Sequence, residues 1–71
     1  MKVDARELVF IRDNAPKNFA ALISDTTGVP RSTVNNELSR IKRSYNEEVI
    51  KEARRLLKVI KGIAYEAGSQ G

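Results

Sequence analysis

The chain has 71 residues, a formal net charge of +4, and neither cysteine nor histidine. That length allows one domain, with a core rarely worth more than about 3–5 kcal/mol. With no thiol or imidazole, disulfides and the usual zinc sites are excluded, leaving packed helices or self-association as routes to stability. No apolar run approaches the ~20 residues that cross a bilayer, and the MKVDARE start has no signal-peptide apolar region, so a cytoplasmic protein is expected.

Asp4-Ala5-Arg6-Glu7 has capping-box spacing, with the Asp4 carboxylate accepting from the Glu7 N–H while Glu7 reaches back. Ala5, Leu8, Val9 and Ile11 then fall roughly on one face, which predicts a first helix over about residues 5–14. Pro16 ends it, and because proline is also favoured at a first helical position, a second helix is expected from about 16 to 26. Its core stripe is Phe19, Leu22, Ile23 and Thr26, and Ala20 and Ala21 are small enough for another helix to approach.

Thr27-Gly28-Val29-Pro30 predicts a tight turn. Gly28 takes the left-handed conformation that terminates a helix, Val29 folds back as an apolar plug, and Pro30 opens the next helix. In that third helix, over about residues 30–43, Val34, Leu38 and Ile41 are spaced to face inward. The opposite side presents Arg31, Ser32, Asn35, Asn36, Ser39, Arg40 and Arg43. Asparagine and serine are poor helix formers, so an Asn35-Asn36 pair in mid-helix reads as selected for what it touches. Asparagine pairs bidentately with adenine and arginine with guanine, each for about 1–3 kcal/mol of discrimination. The charge map agrees: residues 1–29 sum to zero, Pro30 to Tyr45 carry +3, and the last 26 residues carry +1. The excess therefore sits on and after the third helix, where a phosphate backbone would lie.

LISDTTGVPRSTVNNEL resembles the helix-turn-helix of bacterial repressors, closest to the lac-repressor-type headpiece, with its apolar pair, Ala, three residues, Gly-Val-Ser, two residues, Thr-Val. GVPRSTV is also similar to the turn of several winged-helix repressors. The resemblance covers about residues 18–60 and implies that Arg31, Ser32 and Asn36 read bases. Ser24 replaces the small Ala of the pattern, and Pro30 replaces an N-cap Ser that contacts phosphate in the family. Glu37 stands where an apolar residue is usual, with Leu38 one position later. The family also has no helix before its motif, so residues 1–15 are an addition.

Asn46, or in a competing register Ser44, caps the last helix, with Glu47 and Glu48 in its first turn and Tyr45 stapling onto Ile50. Val49, Ile50, Ala53, Leu56, Leu57, Ile60, Ala64 and Ala67 keep a helical period, with Lys51, Glu52, Arg54, Arg55 and Lys58 outside. Gly62 either caps this helix or is passed through at about 1 kcal/mol. The expectation is passage, giving a helix over about 47–67 on which Val59, Ile63 and Tyr65 form surplus apolar surface for a homodimer contact.

The expected fold is thus all-α: four helices with a central helix-turn-helix and a long amphipathic C-terminal helix. The expected function is sequence-specific binding of double-stranded DNA as a transcriptional regulator, with Arg31, Ser32, Asn35 and Asn36 on bases and Thr33, Arg40, Lys42 and Arg43 on phosphates. No cofactor or small-molecule ligand is evident. An enzyme is not expected, since there is no His, Cys or Gly-rich phosphate loop and the carboxylates are scattered. The rival is a helical interaction module using the region from Val59 to Ala67. RNA binding is weaker, with four aromatic residues and no sheet to carry them.

Overall fold

Asp4 begins the first helix, but not through a capping box. Its Oδ1 accepts from the Arg6 N–H at 2.8 Å, and Glu7 turns inward to a different partner. The computed structural model describes residues 2–65, in which the elements are α1 (Ala5–Asn14), α2 (Phe19–Thr27), α3 (Arg31–Ser39) and α4 (Glu47–Lys61). The described residues contain no strand. No helix among them is long and apolar enough to cross a membrane.

α1 has the expected limits, and its buried face is Glu7, Leu8 and Ile11 rather than Ala5 and Val9, which are exposed. α2 begins three residues later than Pro16. Asn18 adopts a left-handed conformation (φ 64°), one that asparagine tolerates, and the Phe19 N–H closes a turn on the Pro16 carbonyl at 3.2 Å. The α2 stripe is correspondingly narrower: Phe19 and Ile23 are buried, while Leu22 and Thr26 are exposed.

Gly28 closes α2 at φ 79°, donating to the Ser24 carbonyl at 2.9 Å. Thr27 holds the turn from the side, its hydroxyl donating to the Ile23 carbonyl (2.7 Å) and accepting from the Val29 N–H (3.2 Å). Val29 packs against the core, as the plug reading required. A Cβ placed on Gly28 meets no atom within 4 Å, so only the positive φ opposes a side chain there. Gly28→Ala is therefore expected to lower the unfolding free energy by about 1–2 kcal/mol, and Gly28→Asn by less, in urea denaturation. Equal stability of all three would mean that the turn is not left-handed in solution.

α3 ends at Ser39, four residues short of the expected limit, because Arg40 is extended (φ −125°, ψ 140°). Ile41, expected inside, is 67 % exposed. The inward face of α3 is Val34, Glu37 and Leu38. Asn46, not Ser44, caps α4, its Oδ1 accepting from Glu48 N–H (3.0 Å) and Val49 N–H (3.4 Å).

Val49, Ile50, Ala53, Leu56 and Leu57 form the buried stripe of α4, the longest among the described residues. α4 does not pass through Gly62. That residue is left-handed (φ 67°), its N–H bonds the Lys58 carbonyl at 3.0 Å, and the Ile63 N–H reaches Leu57 O at 3.4 Å. Reversal returns Ile63 to the core and sets the Tyr65 ring 5.5 Å from Phe10 at 58°. Aromatic pairing and apolar burial there outweigh the next hydrogen bond of a continuing helix. Ala67, the last residue of the expected stripe, lies outside the described residues.

α2 packs on both α3 and α4, and α1 also packs on both, so one cluster of apolar side chains from all four helices forms the core. Arg54 of α4 grips Glu7 of α1 through Nε (2.7 Å) and a terminal nitrogen (2.8 Å), tying the first helix to the last one. The bonds to Glu7 raise the Arg54 guanidinium pKa against the opposing effect of burial.

Candidate nucleic-acid interface

α3 is nine residues long with three of them turned inward, and those three fix what the others face. Successive residues advance about 100°, so Ser32, Asn36 and Ser39 lie opposite the buried side and Arg31 and Asn35 flank them. All five are exposed. None of the five makes a side-chain hydrogen bond or ion pair among the described residues. Two asparagine amides and a guanidinium thus present their full donor and acceptor capacity to solvent. Thr33 is half-buried, on the side nearer Glu37.

The segment after α3 is held by a buried carboxylate that the sequence pattern did not foresee. Glu37 Oε1 accepts from the Asn46 N–H at 2.7 Å, and Glu37 Oε2 takes the Lys42 ammonium. Tyr45, itself buried, accepts from the Lys42 N–H (2.7 Å) and donates to the Arg40 carbonyl (3.2 Å). Burial pushes the Glu37 carboxyl pKa up, but the Lys42 hydrogen bond and charge and the Asn46 N–H together hold it below the usual carboxylate range. A charged residue at an apolar position, followed five residues later by a lysine, was the available signal.

Of the basic residues expected on phosphates, Lys42 is paired with Glu37, whereas Arg40 and Arg43 are exposed and without an ion pair among the described residues. The other basic side chains in ion pairs, Lys51, Arg54 and Arg55, lie on α4 against Glu47, Glu7 and Glu52. Arg31, Arg40 and Arg43, all without an ion pair among the described residues, thus sit on or beside α3; Arg12 on α1 and Lys58 and Lys61 at the end of α4 lack one as well.

No protein-family model matches the chain, and neither a curated protein nor a solved structure is significantly similar to it. The reading of this face therefore rests on its chemistry.

The residues expected at a dimer contact do not form one patch. Ile63 packs on the core and Tyr65 lies against Phe10, leaving Val59, 69 % exposed, with its neighbour Ile60 as the apolar surface at the end of α4. The helix that was to present all three stops at Lys61.

Proposed function

We propose that this chain binds double-stranded DNA sequence-specifically, laying α3 in the major groove in the manner of a lac-repressor-type helix-turn-helix, and acts as a cytoplasmic transcriptional regulator. The observation that carries the reading is the outward arc of α3: Arg31, Ser32, Asn35 and Asn36, exposed and without side-chain partners among the described residues, beside the unpaired Arg40 and Arg43. An α-helix fits the major groove, and these side-chain types match base edges there. Arg40 and Arg43 supply phosphate contacts that set register and carry no sequence information.

The experiment is selection of bound sequences from a random duplex pool, followed by affinity measurements over a range of salt. Arg31→Ala and Asn36→Ala are expected to relax base preference, each costing about 1–3 kcal/mol on the selected site and little elsewhere. Arg43→Ala is expected to weaken every duplex alike and to flatten the salt slope by about one. Identical behaviour of the two classes of variant would remove the recognition assignment. A palindrome with half-sites about one helical turn apart would support two-fold assembly as well.

Exposed Val59 and Ile60 favour a second reading, a helical module that pairs with a second copy through the end of α4. Concentration-dependent sedimentation with no retention on DNA at low salt would select it over the first.

A further inference from the structure

We propose that Arg12 of α1 is a second anchor for the nucleic-acid backbone, so that one strand's phosphates run along the groove between the α1–α2 junction and α3. This rests on the DNA-binding reading and extends its footprint to a helix that the helix-turn-helix itself does not include. The groove, about 480 Å³, is lined by Arg12, Asn18, Arg31, Asn35 and Ser39, with Leu38 on its floor. No carboxylate of the described residues lines it. Arg12 and Arg31, nineteen positions apart in sequence, are thus brought to a single depression, both exposed and neither in an ion pair among the described residues. Two guanidinium groups sharing a groove without a counter-charge repel each other, and an anion between them converts that repulsion into attraction.

The other large cleft, between α1 and α4, shows the contrast. It contains Asp4 and Glu7, and Arg54 is already satisfied by Glu7. The two clefts are lined by different residues of α1 and its C-terminal cap. Glu7, Phe10 and Ile11 face the α4 side, while Arg12 and Ala15 face the α3 side. Arg12 is therefore on the flank continuous with Arg31 and Asn35. A phosphodiester suits such a groove better than an isolated base would, because guanidinium forks bind phosphate oxygens in two parallel hydrogen bonds.

The test compares the whole chain with Arg12→Ala, Arg12→Lys and Asn36→Ala, on the selected duplex and on an unrelated one, over a range of salt. Arg12→Ala is expected to weaken both duplexes by a similar factor, roughly 3- to 10-fold, and to reduce the salt slope by about one. Arg12→Lys, which keeps the charge and loses the fork, should restore the salt slope and only part of the affinity, and phosphate-ethylation interference should lose one position at the flank of the site in Arg12→Ala alone. Circular dichroism checks that the variants fold; Arg12 is exposed, so they are expected to. Unchanged affinity and slope in Arg12→Ala, while Asn36→Ala still relaxes base choice, would overturn the Arg12 assignment and leave the DNA-binding reading standing. Weakening confined to the selected duplex would make Arg12 a base reader and also overturn it. Failure of the unaltered chain to bind any duplex would remove both.

Discussion

Leu8→Ala is expected to unfold a large part of the population at room temperature. Leu8 is fully buried on α1, in a cluster that includes Ile23 of α2, Val34 of α3 and Leu57 of α4. Removing a leucine side chain from such a site loses its transfer free energy and leaves a cavity, for about 3–4 kcal/mol within the usual range of 2–5. A core this small rarely supplies more than about 3–5 kcal/mol in total, so one truncation consumes most of it. The readout is urea denaturation followed by far-UV circular dichroism. The midpoint should move close to zero denaturant, and the α4 helical signal should fall together with the rest, because α1 touches both α3 and α4. A cost below about 1 kcal/mol would mean that α1 is an appendage rather than a wall of the core. The outcome matters for the interface, since α1 carries Arg12 and forms one side of the groove that holds Arg31 and Asn35.

The parts of this fold legible in sequence are those set by neighbours within one helical turn. Asp4 and Asn46 start helices because their side chains satisfy N–H groups two or three residues ahead, and Gly28 ends one because it adopts positive φ at no steric cost. The apolar stripe of α4 from Val49 to Leu57 needed only its period, whereas Ile60 and Ala64, expected on its continuation, are exposed. What escaped is what distant groups decide. Glu7 follows Asp4 at capping-box spacing, yet it is drawn to Arg54, forty-seven residues away. The end of α3 depends on Glu37, Lys42, Tyr45 and Asn46 closing on one another, which pulls Arg40 out of the helix and leaves Ile41 outside. Gly62 was open to two readings on local grounds, and the choice was made by Ile63 and Tyr65 finding the core and Phe10. The same division holds for the candidate site. Exposure of Arg31, Ser32, Asn35 and Asn36 follows from Val34 and Leu38 alone, whereas the capture of Lys42 required the fold.

Glu37→Ala is the second large effect, expected to cost about 2–3 kcal/mol. The substitution deletes a charge-assisted hydrogen bond to the Asn46 N–H and the partner of Lys42, and such bonds contribute about 1.5–3 kcal/mol when one acceptor serves a charged or backbone donor. Glu37→Gln keeps an oxygen for Asn46 and loses the ion pair, so a cost nearer 1 kcal/mol is expected, consistent with the partial exposure of Lys42. The two variants also separate the pH dependence. The Glu37 carboxyl pKa is lowered in the folded state, so the chain gains stability from it above the unfolded value of about 4.3 and loses that gain as the pH falls through the folded value. The stability gap between the unaltered chain and Glu37→Gln should therefore be full near pH 6 and shrink below about pH 4. A gap that is constant across this range would mean that the carboxylate is not charged against Lys42. Because Glu37 holds the segment that bears Arg40 and Arg43, its loss should also weaken DNA binding through phosphate contacts. Glu37→Gln, which keeps the Asn46 bond, removes a negative charge and frees Lys42, should instead raise affinity for all duplexes alike and leave base preference intact, since Arg31 to Asn36 lie on the turns before it. Altered base preference in Glu37→Gln would instead show that Glu37 sets the angle at which α3 meets the groove.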